Sequence, residues 1–197
     1  MGREDFMIAA GNQAAVAWID RWPDWPAPAL VIYGPPACGK THLGAVWQAR
    51  SPACAGRFID DVQDWIGHPA REEELFHRYN LAKEDGTSLL LAAETPPQSW
   101  PFVLPDLASR LRAAPCVEIL PPDESFLAVL LVKLFHDRQL PISTEVVQYI
   151  LPRIERSTAA VRHLVERADH EALSGQRAVT VPLISRLLQD SLSSVSK

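Results

Sequence analysis

The most specific chemistry in this sequence lies at residues 34–41, GPPACGKT, which fit the phosphate-loop spacing G-x-x-x-x-G-K-[ST]. An apolar run at residues 30–33 leads into the loop, and apolar residues at helical spacing follow it. Backbone N–H groups at the start of a helix form a cradle for anions, and glycine lets the chain approach phosphates closely. At this spacing Lys40 reaches the β- and γ-phosphates, and the hydroxyl of Thr41 coordinates Mg²⁺. The sequence therefore predicts a site for a nucleoside phosphate with Mg²⁺.

The predicted nucleotide contacts cover the loop and the residue after it. They are Gly34, Pro35, Ala37, Cys38, Gly39, Lys40, Thr41 and His42. The alternative interpretation is a glycine-containing turn that joins a strand to a helix and binds nothing. The complete spacing, with an apolar run before it and a helical pattern after it, favours the nucleotide site.

Polar residues follow two predicted strands. Asp60 and Asp61 come after a short apolar run; beside a phosphate loop, the first acid is suited to bind Mg²⁺ and the second to orient the attacking water. The alternative for this pair is a solvated turn. Residues 88–93 form a second run, and Glu94 or Thr95 would lie beside the γ-phosphate if that strand neighbours the loop strand. Capping of the following turn explains either residue equally well.

Apolar runs alternate with helical patterns up to residue 121, which predicts a parallel α/β sheet covered by helices on both faces. Beyond that point only helical patterns follow. Their predicted N-caps are Asp123, Ser143, Ser157 and Thr180. We therefore predict a nucleotide-binding base at residues 1–121 and a helical lid at residues 122–197.

Two groups of residues receive a structural interpretation rather than a functional one. The acid run Glu72, Glu73 and Glu74 begins a helix, complements its dipole and is predicted to be a solvated face. Trp22 and Trp25, in the proline-rich connector before the loop strand, are predicted to pack on the fold rather than to cover a base.

Composition limits the class of protein. With 197 residues, 47% of them hydrophobic and 22% charged, the chain is expected to fold around a core. Its net charge of −5 argues against a general affinity for nucleic acid. Cys38, Cys54 and Cys116 form no C-x-x-C pair, which favours a reducing compartment. Without a signal-peptide pattern or a long apolar run, a cytoplasmic location is expected and no membrane contact.

The order of these motifs resembles the AAA+ ATPases of the DnaA family, and within that family the Hda-like paralogues. The resemblance covers essentially the whole chain. It is carried by the phosphate loop, by LFHRYN at residues 75–80, TPP at 95–97, LPDLASRL at 104–111 and AVR at 160–162. It implies an AAA+ fold with a C-terminal helical lid, and ATP or ADP with Mg²⁺ as cofactors.

The resemblance also implies roles for individual residues. Asp60 and Asp61 match the Walker B pair, with Asp60 on the metal, and Glu94 falls at the first sensor position. Arg110 matches the arginine finger, which in this family reaches a nucleotide bound by a neighbouring subunit. Arg162 matches the second sensor, a lid arginine that contacts the phosphates of its own site.

The implied function is regulation of replication initiation, in which the chain promotes hydrolysis of ATP on the DnaA initiator and has weak or no turnover of its own. DnaA is thus the expected partner, with the DNA sliding clamp and a homodimer as further candidates. A non-hydrolysing AAA+ adaptor is one alternative. A phosphate-loop small-molecule kinase is a weaker one, because its lid would be inserted within the sheet rather than appended after it.

Three departures from the family pattern matter. About twenty residues separate Lys40 from Asp60, where the family fits a further strand and helix, so an edge strand is expected to be missing. The residues after the predicted lid show no helix-turn-helix pattern for DNA, so the chain is not expected to be the initiator itself. Residues 1–6 lack the glutamine-leucine motif with which Hda-like proteins dock on the clamp.

Overall fold

The computed structural model describes residues 8–51, 56–175 and 178–194, so Cys54 and residues 1–6 lie outside the described part. The chain divides into two compact units, residues 1–121 and 122–197. The elements of the first unit are α1 (Gln13–Asp20), β1 (Ala29–Tyr33), α2 (Lys40–Arg50), β2 (Gly56–Ile59), α3 (Pro69–Asp85), β3 (Ser88–Ala93), α4 (Pro105–Ala113) and β4 (Cys116–Glu118). Those of the second are α5 (Glu124–Asp137), α6 (Thr144–Ile150), α7 (Thr158–Gly175) and α8 (Val181–Ser194).

The four strands form one parallel sheet in the order β2-β3-β1-β4. Tyr33 at the end of β1 pairs with Ala93 at the end of β3, so the carboxyl ends of the two strands are level. β3 therefore neighbours the loop strand, the condition under which the sequence places Glu94 beside the phosphate loop. The predicted fold class, a helix-covered parallel sheet followed by helices, is confirmed.

Both faces of the sheet are buried, and this explains the continuous apolar runs of its strands. Side chains alternate along a strand, so Ala29 and Val31 face the helices α3 and α4, whereas Leu30 and Ile32 face α1 and α2. The proline-rich connector before β1 packs on the face covered by α1 and α2, where Trp25 stacks on Trp47 with ring centroids 5.6 Å apart. Trp22 meets the same ring edge-on, so the prediction that these tryptophans pack is confirmed.

β2 is the outermost strand of the described sheet on its side. Only residues 51–55 join α2 to β2, and a further strand with its crossover helix needs a dozen residues or more. This agrees with the expectation that the sheet lacks one edge strand.

The C-terminal unit consists of helices, and the side-chain caps predicted for three of them are present. Asp123 accepts a hydrogen bond from an α5 backbone N–H at 2.7 Å, and Ser143 and Ser157 do the same in α6 and α7. α8 begins directly after Thr180, as predicted. The core of the unit includes Leu127, Leu131, Phe135, Ile150, Val161, Val165 and Ile184. None of the described helices is long and apolar enough to cross a membrane.

Candidate functional site

Both glycines of the phosphate loop are required by the path of the chain. Gly39 has φ 106°, a left-handed conformation that leads directly into α2. A Cβ on Gly34 would lie 2.1 Å from the carbonyl oxygen of Ile119, the residue that follows β4, so only glycine fits at this position. The loop spacing therefore corresponds to a turn that delivers the N-terminus of α2 to the carboxyl edge of the sheet.

The side chain of Lys40 is buried against the preceding residues of the phosphate loop. Its Nζ donates hydrogen bonds to the carbonyl oxygens of Gly34 at 2.8 Å and Pro35 at 2.9 Å. The third N–H of the ammonium group is directed at Sγ of Cys38, a weak acceptor, so a phosphate oxygen would replace the thiol or one of the carbonyls. The adjacent hydroxyl-bearing residue, Thr41, is exposed on the first turn of α2.

Cys38 packs inside the loop and is not a reactive thiolate. Its side chain is buried, and Sγ lies 3.9 Å from Nζ of Lys40. Burial raises the pKa of this thiol, and the nearby ammonium of Lys40 offsets only part of that rise. At neutral pH the Cys38 thiol of the loop is therefore uncharged.

The two acids after β2 occupy different environments. Asp60 is half-buried and its Oδ1 accepts a hydrogen bond from the backbone N–H of Asp61 at 3.1 Å. Asp61 is exposed with φ 47°, and its carboxylate accepts from Nε2 of Gln63 at 3.2 Å. The other end of that amide accepts from the backbone N–H of Glu94 at 3.3 Å. Gln63, which no sequence motif indicated, thus connects the ends of β2 and β3.

The donor set fits a magnesium ion that is bound together with a nucleotide. The hydroxyl of Thr41 and the carboxylate of Asp60 are hard oxygen donors, which Mg²⁺ prefers, and the rest of its shell usually comes from water and substrate phosphates. Within the described ranges there is no group of three His, Cys, Asp or Glu side chains able to bind a metal by themselves.

Arg110 is aligned by α3 of its own chain. Its guanidinium lies 4.6 Å from the ring centroid of Phe76 and 5.5 Å from that of Tyr79, and Nη1 donates to Oδ1 of Asn80. α3 and α4 cover the sheet face opposite to α2, the helix that starts at the phosphate loop. The structure does not bring Arg110 to the chain's own Lys40.

The interpretation of Glu72 as part of a solvated face is wrong. Its side chain is fully buried, and its carboxylate accepts hydrogen bonds from the backbone N–H groups of Gly67 at 2.7 Å, Val103 at 3.0 Å and Leu104 at 2.7 Å. It therefore ties the loop before α3 to the loop that leads into α4. Glu73, next along the helix, is exposed as predicted.

Arg162, the remaining predicted nucleotide contact, lies half-buried on α7 within the C-terminal unit. Its part in nucleotide binding stays a prediction, as do the roles of Asp61 and Glu94.

Comparison with known proteins supports the resemblance seen in the sequence. Residues 123–188 match the family model described as Hda, lid domain. Domain III of the Thermotoga maritima replication initiation protein DnaA superposes with a TM-score of 0.79 at 20% identity, covering 95% of both chains. AMPPCP-bound DnaA from Aquifex aeolicus superposes with a TM-score of 0.72 at 20% sequence identity, covering 87% of this chain and 66% of that one.

A more distant match is the Thermotoga maritima RuvB P216G mutant, with a TM-score of 0.63 at 15% identity over 91% of this chain and 67% of that one. At such identities structural likeness shows the fold, which is that of AAA+ proteins. Together with the lid match, the resemblance to DnaA-related and Hda-like AAA+ proteins is confirmed.

Proposed function

We propose, from this likeness to DnaA-related and Hda-like AAA+ proteins, that the chain binds an adenine nucleotide with Mg²⁺ and promotes hydrolysis of ATP bound to the DnaA initiator. The nucleotide would bind at residues 34–42, and Arg110 would act on the ATP of the initiator. The observation that carries the proposal is the ordering of Arg110 by α3 on the sheet face opposite to α2. An arginine ordered there is suited to a partner's phosphates rather than to its own.

The chemistry of phosphoryl transfer favours an arginine in this role. Catalysis there consists mainly of positioning and of stabilising charge on the transferring oxygens, and a guanidinium supplied from a neighbour raises the rate by about 10³- to 10⁵-fold. The group is planar, permanently charged and presents several N–H donors. Stacking on Phe76 and the bond to Asn80 restrict its rotamers in advance, so less entropy is lost when it meets a phosphate.

The chain's own site would bind nucleotide with little turnover. Lys40 and the backbone N–H groups at the start of α2 would contact phosphates, and Thr41 and Asp60 would contact the Mg²⁺ that neutralises phosphate charge. Asp61 would orient a water molecule, with Glu94 at the end of the neighbouring strand. The bound nucleotide would then serve chiefly to order the chain for its action on DnaA.

Nucleotide binding is tested by purifying the chain, releasing bound small molecules by denaturation and identifying them by chromatography. We expect ATP or ADP from wild type and none from Lys40→Ala. Lys83→Ala is the matched control, because Lys83 is exposed on α3. Equal retention by all three proteins would refute the assignment of the loop.

The regulatory activity is tested with DnaA preloaded with labelled ATP. Addition of the chain with Mg²⁺ should accelerate conversion of the bound label to ADP. If the rate does not change while the chain itself binds nucleotide, the regulatory proposal fails and the non-hydrolysing adaptor remains. An incubation of the chain alone with ATP separates its own turnover from the stimulated one.

A further inference from the structure

A side chain closes the outer edge of β2, the edge strand of the sheet among the residues that the structure describes. Nε2 of Gln48, on α2, donates to the carbonyl oxygen of Gly56 at 2.9 Å, and Oε1 of the same amide accepts from the backbone N–H of Phe58 at 2.7 Å. One residue of a parallel neighbouring strand makes the same pair of bonds with its own N–H and C=O, to the carbonyl of one residue and the N–H two residues on. One side-chain amide thus reproduces one unit of a further strand at the edge where β2 is the last strand of the described sheet.

Small residues let α2 come near enough for this contact. A Cβ on Gly44 would lie 2.2 Å from the Phe58 ring, so any larger residue at this position would require the ring or the helix to shift. Gly44 and Gln48 are four residues apart and lie on the same side of the helix. A Cβ on Gly56 would likewise lie 2.5 Å from the Trp47 ring. Helix and strand are therefore matched in shape along their contact.

We propose that Gln48 is a positioning residue that fixes Asp60 relative to the phosphate loop. α2 begins with Lys40 and Thr41, and β2 ends one residue before Asp60, so the amide joins the elements that carry both predicted Mg²⁺ ligands. An edge strand bonded on one side only is free to fray or shift. The inference rests on the proposed Mg²⁺–nucleotide function, in which the two ligands must keep their separation.

The first test measures hydrogen exchange of single amides by NMR. In Gln48→Leu, a substitution of similar size that cannot hydrogen-bond, the Phe58 amide should exchange about tenfold faster relative to the Ile59 amide. The ratio of the two rates removes any effect of global stability. Ser51→Ala is the matched control, because the Ser51 hydroxyl bonds Trp47 at the end of α2 and not β2. An unchanged ratio in the leucine variant overturns the closed edge.

The second test measures ATP affinity with and without Mg²⁺. In Gln48→Leu, the factor by which Mg²⁺ increases the affinity for ATP should fall about tenfold, while the affinity without Mg²⁺ stays near that of wild type. In Ser51→Ala, the affinities with and without Mg²⁺ should both stay near wild type. A factor equal to that of wild type overturns the positioning role, even if the variant melts at lower temperature. If wild type binds no nucleotide at all, the proposed function fails, and the exchange ratio still decides whether Gln48 closes the edge.

Gln48→Glu keeps the test decisive should the leucine variant fail to fold. The carboxylate retains an acceptor for the Phe58 N–H but loses the donor to the Gly56 carbonyl. The Phe58 amide should remain protected while the effect of Mg²⁺ on affinity falls. Loss of Phe58 protection in this variant, or an effect of Mg²⁺ equal to wild type, contradicts the proposal.

Discussion

The fully buried carboxylate of Glu72 is predicted to be among the largest single contributors to the stability of the N-terminal unit. Glu72→Ala would leave three backbone N–H groups, those of Gly67, Val103 and Leu104, without the acceptor that now lies 2.7 to 3.0 Å away. Each lost bond to a buried charged acceptor costs about 1–3 kcal/mol. Since water can reach part of this site after truncation, we expect a total loss of about 3–5 kcal/mol in the free energy of unfolding.

Urea denaturation followed by tryptophan fluorescence measures this loss. Glu73→Ala is the control, because Glu73 is the next residue on the same helix turn and is exposed; its stability should stay within about 0.5 kcal/mol of wild type. Glu72→Gln, which keeps the side-chain volume and one acceptor oxygen, should fall between the two. A loss below about 1 kcal/mol for Glu72→Ala would refute the reasoning.

Three further predictions concern packing, an ionisation and the ordering of Arg110. Gly44→Ala should destabilise the unit by up to about 2 kcal/mol in thermal unfolding, because the overlap of its Cβ with the Phe58 ring exceeds the gain of about 1 kcal/mol in helix propensity; an increase in stability would contradict the close approach. Burial raises the pKa of Cys116 to about 11. Its alkylation at pH 8, followed by peptide mass spectrometry, should therefore be about 100-fold slower than that of a thiol of pKa 9, and the rate should increase as the pH rises. An alkylation rate at pH 8 equal to that of a thiol of pKa 9 would contradict this prediction. Asn80→Ala should lower stimulation of ATP hydrolysis on DnaA while changing stability by about 1 kcal/mol, and undiminished stimulation would show that Asn80 does not order Arg110.

The strands and their order along the chain could be predicted because the sheet is buried on both faces. Residues 88–93 form a run of apolar and small side chains, and the structure gives β3 the same bounds. The phosphate loop was recognisable because its glycines and the Lys-Thr pair follow a fixed spacing within one short segment. Such features depend on neighbouring residues and can be read from the sequence.

The side chains missed by sequence reasoning all act on backbone groups of other segments. Glu72 bonds a backbone N–H 31 residues along the chain, and Gln63 does the same at the same separation. Gln48 reaches β2 across the linker. A buried acceptor and a solvated one have the same residue type and the same helical spacing, so only the tertiary structure distinguishes them. The ordering of the Arg110 side chain could not be predicted from the sequence for the same reason, because the side chains that contact it lie on α3.

The most direct test of the central claim is a single-turnover assay of ATP prebound to DnaA with excess chain. Arg110→Ala should reduce the stimulated rate by about 100-fold or more while leaving the chain's own nucleotide content unchanged. Arg112→Ala, two residues along α4, exposed and stacked on Phe102, should stimulate like wild type. Equal stimulation by the Arg110 and Arg112 variants would contradict the proposal that Arg110 acts on a partner's nucleotide.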